Sequence, residues 1–174
     1  DDTPARLQSY WTNSMVVGER RVLSREDCLV YVLRHSAVQH VLETPVWLTD
    51  IHYIVLGGAE GPMLRWDEVL LQLQKTHSIA AAYLVFRLLV KYWKSPIPDE
   101  VLQSLARRLG KRRVLAAENR IDLSTWFFLE PRSYMWLLRS RFILRDGTGD
   151  ALRYGVSRYA RVFREGTKRF LDRL

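Results

Sequence analysis

The sequence predicts an all-α protein: a single domain of about seven or eight packed helices over residues 24–174, preceded by a short extended or hairpin arm over residues 1–23. Three observations predict it. From Ser24 onward, apolar residues recur three and four apart instead of alternating, which is the helical period. Breaks rich in Gly and Pro divide these stretches, notably Gly57-Gly58-Ala59-Glu60-Gly61-Pro62 and Lys94-Ser95-Pro96-Ile97-Pro98. Six tryptophans favour broad packed helical faces or a ligand groove. A chain of 174 residues with 48% hydrophobic and 26% charged residues suits one ordered domain with a real core.

From Leu7 to Leu23 no helical period persists. Ser14-Met15-Val16-Val17 and Arg21-Val22-Leu23 flank Gly18-Glu19-Arg20, as in a short hairpin or an extended arm. Ser24 opens the helical region: its hydroxyl suits the backbone N–H of Asp27, which answers as in a capping box. That helix is expected to reach about Leu42, with Leu29, Val30, Val32, Leu33, Ser36, Ala37 and Val41 in a broad inward band. Pro45 stops or restarts the chain, and Thr44 or Thr49 caps the next helix, through Trp47, Leu48, Ile51, Ile54, Val55 and Leu56. A third runs from Trp66 to about Lys75 on Trp66, Val69, Leu70 and Leu73.

Ser78 or His77 precedes a hydrophobic helix through Ala81, Leu84, Val85, Leu88, Leu89 and Tyr92. Asp99 starts another, with Val101, Leu102, Leu105 and Leu109 facing inward and Gly110 at its end. Pro131 opens a helix through Tyr134, Leu137, Leu138 and Phe142, and Leu152, Val156, Tyr159 and Phe163 mark the last one.

The net charge of +8 is uneven: residues 1–102 hold ten Lys/Arg against twelve Asp/Glu, residues 103–174 seventeen against seven. An anionic ligand or nucleic acid is expected at this basic rear, through Arg107, Arg108, Lys111, Arg112 and Arg113 with Arg161 and Arg164, although a solvated face is the commoner outcome of such runs. The single cysteine, Cys28, reads as a buried thiol, which suits a cytoplasmic chain. No apolar run is long enough for a membrane span, and the Asp1-Asp2-Thr3-Pro4 start is unlike a signal peptide.

Asp50 interrupts an apolar run between Leu48 and Ile51, so burial would require His35, His52 or Arg34 as partner; the alternative is a contact to substrate. Trp66 reads as a helix anchor or a stacking platform for a base. No metal site is expected, because His35 and His40 stand five apart and point to different helix faces.

The segment Arg21-Val22-Leu23-Ser24-Arg25-Glu26-Asp27-Cys28-Leu29 resembles the start of the helical region in the uncharacterised nucleotidyltransferase-like family of bacteria. Trp47-Leu48-Thr49-Asp50-Ile51, Leu64-Arg65-Trp66-Asp67 and Pro96-Ile97-Pro98-Asp99-Glu100-Val101-Leu102 are similar to that family's later landmarks, in the same order. The family's paired histidines stand one residue closer than His35 and His40 do here. Its catalytic domain carries a Gly-Ser pair and an Asp-x-Asp, and neither occurs in this chain.

The resemblance implies an accessory helical domain that helps form a substrate cleft, with no catalytic residues or cofactor of its own. Mg and a nucleoside triphosphate would be held by an N-terminal nucleotidyltransferase domain, the implied partner. Asp50, His35, His52 and Trp66 would lie toward substrate or the domain junction. The rivals are a stand-alone basic module for nucleic acid and a protein that self-associates through its tryptophan-rich helices.

Overall fold

The structure, a computed structural model, describes Thr12, residues 14–39, Leu42, residues 45–57, residues 63–119, Leu144 and Gly149. Of the two alternatives for the arm, it is a hairpin. Strand β1, Met15–Val17, pairs antiparallel with β2, Arg20–Val22, in the register Met15↔Val22, Val16↔Arg21 and Val17↔Arg20. Gly18 takes φ +61 as the first residue of the two-residue loop, the backbone a type II′ turn requires.

Among the described residues there are six α-helices: α1 Arg25–Arg34, α2 Val46–Leu56, α3 Trp66–Lys75, α4 Ile79–Leu88, α5 Asp99–Leu109 and α6 Lys111–Glu118. The helices expected from Pro131 and from Leu152 lie outside the described residues. Helix α6 occupies a stretch that the sequence presents only as a run of cations.

The start of α1 follows the expected cap. Ser24 Oγ accepts from the Asp27 N–H at 3.1 Å and donates to Asp27 Oδ2 at 2.9 Å. The carboxylate thus answers the hydroxyl of Ser24. The helix does not continue to Leu42 in α form; a π-helical turn, His35–Gln39, replaces its end. Ser36 Oγ donates back to the Leu33 carbonyl at 3.0 Å, a bond that competes with the helix ladder.

At α2, Pro45 itself stands before the first turn, and its carbonyl accepts from Leu48 and Thr49. Thr49 lies inside the helix and is no cap; Thr44 lies outside the described residues. The carboxyl end of α2 is closed from a distance. Arg25 on α1 donates through Nε to the Ile54 carbonyl at 2.7 Å and through Nη2 to that of Val55 at 2.8 Å. Gly57 at φ +67 lets the chain leave beside this guanidinium, which a Cβ at that position would overlap.

Helix α4 is the centre of the described core. Nine of its ten residues are buried, all but Arg87, and it packs on α1, α3, α5 and α6. A π-helical turn, Leu89–Trp93, prolongs it, and Tyr92, expected on the inward side, is exposed there. Leu29, Leu33, Leu48, Ile51, Leu73 and Leu105 surround this axis with no exposed surface. Helices α3 and α4 end without glycine: His77 and Lys94 take φ +50 and +52, and the next N–H bonds back to Leu73 and Leu89 respectively.

Candidate functional site

The four expected junction residues do not converge on one buried polar site. Asp50 is exposed, where burial had been expected. The inward face of α2 is Leu48, Ile51 and Val55, and a residue two beyond Leu48 is turned roughly 200° from it. Among the described residues no cation or N–H donor holds its carboxylate.

His35, on the π-helical turn after α1, meets Trp47 edge to face at 5.2 Å between centroids and stacks on Tyr31 at 6.0 Å. His52 Nδ1 lies 2.7 Å from the hydroxyl of buried Ser95, which joins α2 to the loop after α4. Trp66 is the first residue of α3 and meets Phe86 edge to face at 5.7 Å, so it anchors α3 on the central helix. Each of the three rings thus has a packing or hydrogen-bond partner among the described residues.

Two polar knots escaped the sequence reading, and both join residues far apart in the chain. In the first, Glu26, 6% exposed in the first turn of α1, accepts from the Arg65 backbone N–H at 3.0 Å and from its Nε at 3.4 Å. Burial pushes the Glu26 carboxyl up, but the Arg65 N–H groups outweigh it and hold it below the usual carboxylate range. Arg65 also reaches Glu68 at 2.6 Å, so one residue ties the entrance of α3 to the entrance of α1.

In the second knot, Glu118 on α6 takes Nε of Arg87 at 2.8 Å, Nη2 of Arg87 at 3.1 Å and the hydroxyl of Tyr83. Tyr83 and Arg87 stand four apart on α4, on one helix face. Burial and the Glu118 carboxylate push the Tyr83 phenol up to about 12. Burial raises Glu118, but the bonds from Arg87 and Tyr83 prevail and hold it below its ordinary range. The fork geometry of Arg87 makes this a latch that fixes α6 on α4.

That latch positions the basic residues. Arg107 and Arg108 lie in the last turn of α5, and Lys111, Arg112 and Arg113 open α6; all are exposed except half-buried Arg113. Arg161, Arg164 and His40 lie outside the described residues. Cys28 is half-buried, and burial pushes its thiol up, away from reactivity. Among the described residues no three His, Cys, Asp or Glu side chains come together as a metal site, and no helix is long and apolar enough to cross a membrane. No family model, curated protein or solved structure matches the chain.

Proposed function

We propose that the chain is an accessory helical domain serving a nucleotidyltransferase-like partner domain, contributing a wall of the substrate cleft and no catalytic carboxylates. The observation that carries this reading is the hairpin in front of the helices. Met15, Val16 and Val17 are 46%, 67% and 59% exposed, on a sheet that has two strands among the described residues. An isolated hairpin is marginal in water, and one that offers apolar side chains and open edges suits completion by further strands. The sequence resemblance puts a catalytic sheet on that side of the helices. On that resemblance metal chemistry belongs to the partner domain, and no step is assigned to this chain.

Calorimetric titration of the chain with Mg-ATP is expected to show no saturable binding, and sub-micromolar affinity would overturn the proposal. Hydrogen exchange supplies the positive arm. Hairpin amides over residues 15–22 should exchange far faster than those of α4, and equal protection of the two would mean the strands need no partner.

A further inference from the structure

We infer that the elbow between α5 and α6 is a contact surface for the phosphate backbone of a nucleic acid, independently of the accessory-domain reading. The elbow is one residue long. Gly110, at φ +80, separates Leu109 from Lys111, so the last turn of α5 and the first turn of α6 adjoin. Among the described residues, no atom comes within 4 Å of the position a Gly110 Cβ would take. Five cations in the seven residues 107–113 therefore share one projecting corner.

Among the described residues no carboxylate reaches Arg107, Lys111 or Arg112, and Arg108 donates to the neutral amide of Gln74 at 2.6 Å. Helix stability explains only half of the cluster. Arg107 and Arg108 complement the negative end of the α5 dipole, but Lys111, Arg112 and Arg113 stand at the positive end of α6. Among the described residues, the first turn of α6 holds no acidic residue and no side-chain cap to relieve Lys111 and Arg112. A group of cations placed against the local field, on a helix clamped by Glu118, is matched by an external anion.

The residue types select the anion. Four of the five cations are arginines, whose planar forks fit phosphate oxygens bidentately. Residues 107–119 contain no aromatic ring on which a base could stack, and Leu115 is their one exposed large apolar side chain. The corner thus lacks both a base platform and the apolar anchor that a lipid surface rewards. A phosphate backbone read without regard to sequence fits best.

The test is fluorescence anisotropy of a labelled 20-base-pair duplex titrated with the full chain across salt. Neutralising about four phosphates predicts a log–log salt slope near −3.6, or a loss on the order of 10²-fold from about 50 to 200 mM salt. The triple variant Arg107→Gln, Lys111→Gln, Arg112→Gln should lose at least tenfold in affinity and most of the slope. A control of equal charge, Lys75→Gln, Lys91→Gln, Lys94→Gln, should bind within about threefold of the parent chain. Relief of the α6 dipole should leave the elbow variant melting no lower than the parent, which separates lost contacts from lost folding. Equal losses in both variants, no binding near physiological salt, or a preference for phosphatidylserine vesicles over the duplex would each overturn the inference.

Discussion

Replacing Glu118 with alanine tests whether the Tyr83–Arg87–Glu118 latch holds α6 in place. The variant leaves the hydroxyl of Tyr83, a residue only 5% exposed, without its acceptor. A buried unsatisfied hydroxyl costs about 1–3 kcal/mol. The Arg87–Glu118 pair adds less, because its side chains are 37% and 32% exposed and solvent screens them to at most about 1 kcal/mol. The sum is about 1–4 kcal/mol, or a fall in Tm of roughly 3–12 °C for a domain of this size. Glu118→Gln keeps an acceptor for the phenol and should lose about 1 kcal/mol.

Circular dichroism melts and urea titrations at neutral pH measure both variants. The latch has a pH signature as well. Because the folded Glu118 carboxyl is held low, its stabilisation is present at neutral pH and is lost as pH falls through the folded value. Tyr83, pushed up to about 12, stabilises fully below the ordinary phenol range and loses that contribution as pH rises toward 12. The reasoning is refuted if Glu118→Ala melts within about 0.5 kcal/mol of the parent, or if Glu118→Gln is as damaging as Glu118→Ala.

Two further changes probe the helix ends. Gly57→Ala places a methyl group against the Arg25 guanidinium at a positive φ, and should cost roughly 1–2 kcal/mol in urea unfolding; a neutral result would mean that Arg25 does not close α2. Ser24→Ala removes the α1 cap and should cost about 1 kcal/mol, with Ser24→Thr restoring most of it. An unchanged urea midpoint for Ser24→Ala would show that the Asp27 N–H is satisfied otherwise.

How much was legible depended on how local each signal was. The α1 cap is written within four residues, Ser24 to Asp27, and the structure places it there. The bounds of α5 are equally local, with Asp99 and Glu100 in its first turn and Gly110 at its end. Helix α6 has no such signature: it starts with three cations and no cap, and its docking depends on residues 31 and 35 positions away. Asp50 misled because a carboxylate flanked by Leu48 and Ile51 looks buried in a linear reading, while the helical turn carries it to the far side. His52 and Ser95 are 43 residues apart, beyond any spacing rule. The hairpin was legible as one of two options, and the Gly18 backbone decides between them.

The π-helical turn at Leu89–Trp93 bears on how chains of this kind drift in length. A helix that already accommodates a surplus residue is able to shed it, since deletion there lets the ordinary ladder close and leaves the upstream core undisturbed. Because the wide turn absorbs the extra residue, the chain beyond it would keep nearly the same course, and the contact of His52 with Ser95 should survive. A variant lacking one residue between 89 and 93 should therefore fold, with His52 still hydrogen-bonded to Ser95.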